Sequence, residues 1–245
     1  KAPVVAQSPS SLSFGEQVRA FLDNRALQLI IAVKLAQLIG ISAATGGLIF
    51  FFARVIDVPL TILPVFGLAT TVAVFVSTPV LLWVGRHLGK KVGYALSAGI
   101  TGLAALSWMF AQPGDPTWMV LLRGFFLGIA FAGNVMFAMS MLTDAMEVDW
   151  HRTGMRREGM YSALYSFVEK LAMSIGPLIL GGALSVAGFD PSSPPSEVTP
   201  GVRQAVLLGI AYVPAAMAVV AVAILSFYRL DQRALEASRA VRVER

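Results

Sequence analysis

Six uninterrupted apolar blocks, each of roughly 20 residues or more, decide what this chain can become. They are Leu27–Ala53, Pro59–Val84, Val92–Ala111, Thr117–Leu142, Met160–Ala187 and Val202–Tyr228. An α-helix rises about 1.5 Å per residue, so a stretch of this length crosses the hydrocarbon core of a bilayer. Buried helices of a large soluble protein are the alternative, and they need polar segments to clothe them. No such segments remain: the chain is 56% hydrophobic and 13% charged, with a mean hydropathy of +0.72, well outside the soluble balance. The fold class is therefore all-α and integral to the membrane. Six transmembrane helices occupy residues 27–228, after a leader (1–26) and before a basic tail (229–245).

The connections give an orientation. "GRHLGKK" between the second and third blocks carries Arg86, Lys90 and Lys91, and the fourth connection carries Arg152, Arg156 and Arg157. The tail adds Arg229, Arg233, Arg239, Arg242 and Arg245, and the leader adds Lys1, Arg19 and Arg25. The alternate connections are poor in positive charge, Arg54 being the exception: "QPGDP" has none and "GFDPSSPPSEVTPG" has acids only. Positive residues stay on the cytoplasmic side, so both termini are expected inside, as an even number of spans requires. The same bias accounts for the net charge of +5 without nucleic acid; attraction of the tail to anionic lipid fits it as well.

The leader is Pro/Ser-rich and then helix-like. Ser13 and Glu16 have capping-box spacing, and Phe14, Val18, Phe21 and Leu22 fall on one face, which predicts a short helix on the membrane surface. The chain has no cysteine and opens at Lys1 without a methionine. It is expected to be a piece of something longer.

Charge is concentrated between the fourth and fifth blocks, in "TDAMEVDWHRTGMRREGM". Asp144, Glu147 and Asp149 close the fourth helix or begin the turn, "RTG" marks a break at Gly154, and Arg152, Arg156, Arg157 and Glu158 surround it. A solvated loop explains the arginines. Topology does not require the acids, so an inter-helix latch of acids facing arginines is the second reading, although exposed pairs contribute little on their own. The cluster Asp144, Glu147, Asp149 and His151 has a spacing that suits no metal geometry well, and neither a metal nor a cofactor is expected.

Lys170 is the most informative single residue. It lies twelve residues beyond Glu158, roughly 18 Å along the axis and near mid-bilayer. A charge there costs ~2.5–3.5 kcal/mol on insertion scales, and such groups face an interior or a watery cavity. Ser166, Met173 and, more loosely, Pro177 share its face, whereas Glu169 points roughly 100° away. A self-neutralising Lys–Glu pair is the structural alternative. Lys34 and Arg123, each about two turns into a span, are expected to snorkel to the interface. Asn134 sits mid-helix, placed to bond either a substrate or a neighbouring helix. Gly124 with Gly128, and Gly176 with Gly181–Gly182, have spacings for close helix packing.

The stretch "LTDAMEVDWHRTGMRREGMYSALYSFVEKL" resembles the signature of the glycoside–pentoside–hexuronide:cation symporters, the melibiose permease group of the major facilitator superfamily. Asp144 matches the first acid of that signature and Glu147 conservatively replaces the second. Arg156 and Glu158 match its R-x-E, and Lys170 matches its helix lysine. Ser166 falls where the melibiose permease has a sugar-contacting threonine. "GRHLGKK" is similar to a degenerate copy of the superfamily's loop motif, with Arg86, Lys90 and Lys91 in place and the usual acid missing.

The resemblance implies the C-terminal six-helix half of a twelve-helix transporter, partnered by an N-terminal half in the same polypeptide or a separate one. It implies cation-coupled uptake of a sugar or glycoside across a bacterial inner membrane. The Na+ or H+ would bind mainly in the partner half, with Lys170, Ser166 and Asn134 at the solute and Asp144, Glu147, Arg156 and Glu158 as the inner gate. A lysolipid or amphiphile carrier of the same fold, and a non-transporting membrane partner, are the other function classes. With both histidines in basic loops, an enzyme is not expected.

Overall fold

A computed structural model of the chain describes residues 19, 21–153, 158–190 and 198–228, with Arg152, Thr153 and Glu158 described as backbone only. Among the described residues are six helices long and apolar enough to cross a membrane. They are α1 (Arg25–Val55), α2 (Ile62–His87), α3 (Lys90–Phe110), α4 (Thr117–Thr153), α5 (Glu158–Val186) and α6 (Pro200–Ser226). Ser13, Glu16 and the rest of the expected surface helix up to Val18, and the basic tail from Arg229, lie outside the described residues.

Local chemistry sets several boundaries. Asn24 caps α1, its side-chain oxygen accepting from the Leu27 amide at 3.0 Å, and Thr199 does the same for α6, with Pro200 at the first helical position. Gly89 separates α2 from α3 with φ at 88°, in the left-handed region that glycine enters without penalty. The fourth helix does not end at the acids. It runs on through Asp144, Glu147 and Asp149 to Thr153. No Gly or Pro interrupts this stretch before Gly154, and Ala145 is fully buried within it.

Two spans carry a π-helical turn, α1 at Phe51–Val55 and α6 at Leu208–Tyr212. The second lies just before Pro214, whose ring and missing N–H disturb the ladder of the preceding turn. Widening that turn accommodates the disturbance.

The packing has an internal two-fold pattern. Helix α1 packs against α5 and α6, as α4 packs against α2 and α3; α3 meets α6, and α1 touches α4. The first three helices are thus repeated by the second three, running in the opposite sense, the arrangement of an inverted repeat. A core of α1, α6, α3 and α4 is flanked by α2 and α5. Burial follows: 61% of the apolar stretch of α1 is buried inside the bundle, against 22% for α2 and 22% for α5.

The tightest helix pairs rest on glycine. A Cβ on Gly128 of α4 would run into the Thr70 carbonyl of α2, and one on Gly176 of α5 into the α1 backbone at Ser42 and Ala43. Gly181 and Gly182, by contrast, meet nothing, because α5 has turned that face away from α1.

Two apolar clusters fill the ends of the core. At the end holding the α2–α3 connection, Leu27, Tyr94, Phe137, Met141 and Tyr161 pack together. At the opposite end Phe51, Phe52 and Phe66 surround Trp108, with ring centroids 5.4–6.2 Å from the indole. The Arg123 guanidinium covers Trp108 at 5.2 Å and pairs with Asp115 at 3.2 Å. Arg123 therefore does reach the end of the bundle, but inward and buried rather than into open interface.

Candidate functional site

The register of α5 against α1 places the first group of residues. Lys34 of α1 meets Tyr165, Ser42 donates to the Met173 carbonyl at 2.8 Å, and Gly47 faces Leu180. The two helices therefore run side by side in the same sense. Ser166, Lys170, Met173 and Pro177 all lie on the uncovered side of α5 and all are exposed. The 3.6-residue repeat that put them on one face holds. The Lys170 ammonium has neither a hydrogen bond nor an ion pair among the described residues. Counting back three residues from Met173, it is level with the Gln37–Gly40 turn of α1.

Lys34 corrects an expectation. Its side chain is only 6% exposed and its ammonium sits 5.2 Å over the Tyr165 ring, with Glu169 near enough to act on it electrostatically. It does not snorkel. Helix α1 is the central helix, so a side chain on this face meets α5 before it meets lipid, and the ring face accepts the charge. No Lys170–Glu169 ion pair forms among the described residues.

A cavity of about 190 Å³ lies at the same depth. Thr45 and Phe131 are exposed at its rim, Phe66, Trp108 and Ile210 form much of its wall, and Asn134 is at its polar end. Asn134 is 2% exposed, and its amide donates to Thr101 Oγ1 of α3 at 2.8 Å. Of its two expected roles, the bond to a neighbouring helix is the one observed. A smaller void continues behind it, toward Gln37 and Tyr94.

Ion pairs and carbonyl caps gather at the end holding the α2–α3 connection. Lys90 Nζ reaches both carboxylate oxygens of Asp144, at 2.6 and 2.8 Å. Lys91 Nζ donates to the Ser226 and Tyr228 carbonyls at 2.9 and 2.8 Å, neutralising the negative end of α6. Asp149, 1% exposed, accepts from the Tyr161 hydroxyl at 2.5 Å, joining α4 to α5. Burial, and then the Asp144 carboxylate, push the Tyr228 phenol well above its usual range.

The acids of the expected latch lie at this end. Among the described residues Asp144 pairs with Lys90 of the loop motif; Arg157 and the side chain of Arg152 lie outside them. Glu147 is half-buried one turn further on. Arg86 is exposed and unpaired among the described residues. Arg156 lies outside the described residues, and Glu158 is described only as the first backbone position of α5. No three His, Asp or Glu side chains among the described residues come together as a metal would need.

Sequence reasoning missed Tyr161, Tyr94, Thr101 and Gln37. The signal was there for Gln37, a lone amide within the apolar run "IIAVKLAQLIGIS"; its partners come from other helices and leave no local trace.

Comparison with known proteins agrees with this architecture. Residues 1–232 match the family described as MFS/sugar transport protein. The chain is 27% identical over 235 residues to the "Glucuronide carrier protein homolog" of Escherichia coli, covering 94% of this chain and 49% of that one. It is 24% identical over 230 residues to the "Uncharacterized symporter YnaJ" of Bacillus subtilis, and 25% identical over 230 to the "Putative 2,3-dihydroxypropane-1-sulfonate exporter" of Escherichia coli. These two matches each cover 93% of this chain and 48% of the relative. The chain spans about half the length of these curated relatives. Six apolar helices in an inverted repeat, the acid–lysine signature and the match over nearly the whole chain converge on one conclusion: it belongs to the MFS/sugar transport family, the glycoside–pentoside–hexuronide group of the major facilitator superfamily.

Proposed function

We propose that this half works in a secondary transporter that carries a small, hydroxylated solute of the sugar type by cation-coupled symport. The observation that carries the reading is Lys170: a cation at mid-span, exposed on α5, with no ion-pair partner among the described residues. Leaving a charge in that position is costly unless it faces water, a solute or a second protein wall. Helices α2 and α5 are the least covered of the six, as they would be if a second six-helix half closes over them. Solute held between two halves, with access switched by rocking, is the mechanism such a surface permits.

In this reading Lys170 and Ser166 supply donors and an acceptor for solute hydroxyls, and the coupling Na+ or H+ binds mainly in the N-terminal half. The end holding Lys90–Asp144 is cytoplasmic, following the positive-inside bias. Its ion pair closes that end while the solute cavity faces outward. Two of the relatives are named for small hydroxylated anions, a glucuronide and a sulfonate, a charge that Lys170 suits. The mostly apolar wall of the 190 Å³ cavity favours an amphiphile carrier as the second reading.

The test is uptake by the full-length protein of a labelled panel of sugars, glucuronides and a lysolipid, with Lys170→Ala and Lys170→Arg beside the parent. Losing a charged hydrogen bond predicts a fall of about 10- to 100-fold for Lys170→Ala. Full uptake in that variant removes Lys170 from the mechanism, and uptake of the lysolipid alone selects the second reading.

A further inference from the structure

Two buried side chains are each left with one unsatisfied atom, and the two atoms are complementary. Gln37 on α1 is 7% exposed and Asn134 on α4 is 2% exposed. Gln37 Oε1 accepts from the Tyr94 hydroxyl at 3.1 Å, its only hydrogen-bond acceptor among the described residues. That turns Gln37 Nε2, a donor, the other way, where it has no partner. The Thr101 hydroxyl is committed as a donor to the Ser97 carbonyl at 3.0 Å. Only its lone pairs remain for Asn134, so the Asn134 nitrogen faces Thr101 and its oxygen Oδ1, an acceptor, is left over.

Both residues line one small void of about 10 Å³, close to the room that one water occupies, roughly 10–15 Å³. A buried amide donor and a buried amide acceptor each cost free energy if left bare. A single oxygen carrying a hydrogen satisfies both at once, accepting from Gln37 Nε2 and donating to Asn134 Oδ1. A cation would be repelled by the first atom and an anion by the second. The void also shares Gly40, Thr101, Asn134 and Pro214 with the 190 Å³ cavity, so the two adjoin at Asn134.

We propose that Gln37 and Asn134 form a receptor for one hydroxyl oxygen, bridging α1 to α4 at the depth of Lys170. The oxygen comes from a resident water or from a hydroxyl of the transported solute entering through the larger cavity; the second source rests on the transport reading above. Either way, the bridge ties together the two central helices of the inverted repeat.

The experiment is a double-mutant cycle on the full-length protein, read from melting in mild detergent, with Gln37→Met, Asn134→Leu and the pair. Leucine keeps the branched shape of asparagine and methionine the length of glutamine, and each change removes one amide group. The stranding of Tyr94 by Gln37→Met is common to the single and the double variant, so it cancels from the coupling. A shared oxygen makes the double variant lose less than the sum of the two singles, by about 2–4 °C. The cycle is run without solute and again with saturating methyl β-D-glucuronide. Coupling without solute identifies water. Coupling that appears only with the glucuronide identifies a solute hydroxyl. Additive losses in both arms overturn the receptor. Because melting requires no transport, additive losses beside a failed Lys170→Ala carrier sink the hydroxyl receptor alone. A coupled cycle without solute, beside a parent protein that takes up no member of the panel, sinks the transport reading alone.

Discussion

Replacing Gly176 by alanine tests the contact that holds the Lys170 helix in place. In a helix interior the change is favourable by about 0.5–1 kcal/mol from propensity alone. At Gly176 a Cβ would lie nearer than any real Cβ contact to Ala43 N, Ser42 C and Ser42 Oγ. Two of these atoms are backbone of α1 and cannot swing aside, so the whole helix must move; overpacking of this kind costs about 1–3 kcal/mol. The displaced Ser42 hydroxyl also loses the Met173 carbonyl it holds at 2.8 Å, a further ~1 kcal/mol. The balance is a loss of roughly 1–3 kcal/mol, dominated by sterics. Gly182, six residues along the same helix and with nothing within 4 Å, is the control, because there only the propensity gain operates. Thermal scans of the full-length protein in detergent should show Gly176→Ala melting several degrees below the parent, at about 2–4 °C per kcal/mol, and Gly182→Ala melting at or above it. If both variants move the same way, α5 does not rest on α1 through Gly176, and the register that sets the depth of Lys170 is wrong.

Other outcomes follow from the ends of the bundle. Lys90→Ala and Asp144→Ala should each weaken closure, and the charge swap Lys90→Asp with Asp144→Lys should restore part of it. The pair is 30% and 19% exposed, so about 1 kcal/mol is at stake, read as altered labelling of a single cysteine at that end. Tyr161→Phe removes the donor to the buried Asp149 carboxylate and should cost about 1.5–3 kcal/mol in melting, with Tyr212→Phe as a control that makes no such bond. Gly128→Ala, which drives a methyl group into the Thr70 carbonyl, should separate α2 from α4 and lower the melting temperature, whereas Gly67→Ala, with open space around it, should not.

Some of this was legible in the residues and some was not, for a physical reason. The spans follow from block length, and the stripe Ser166–Lys170–Met173–Pro177 follows from helical repeat, because both are local. Burial of Lys34 is not local. It depends on α1 being the central helix, and a span that is apolar on all sides carries little sign of which face its neighbours cover. The pairing of Asp144 with Lys90 joins residues 54 apart in sequence, and the matching of Gln37 to Asn134 needs four helices to be in place. The expected boundary at the acids failed because charge alone does not end a helix. Glycine and proline are the residues that favour a break, and after the acids the first of either in the sequence is Gly154, outside the described residues.

The π turn at Phe51–Val55 has a consequence for the seal around Trp108. Successive residues of an ordinary α-helix diverge by about 100°, and a π turn, with more residues per turn, narrows that angle. Here Phe51 and Phe52 are both fully buried, with centroids 5.4 and 5.7 Å from one indole. The widened turn lies at these two residues. This stopper thus depends on a surplus residue in a backbone turn as well as on the aromatic rings. Deleting a single residue there should leave the composition of that end nearly unchanged and swing one ring out of the seal.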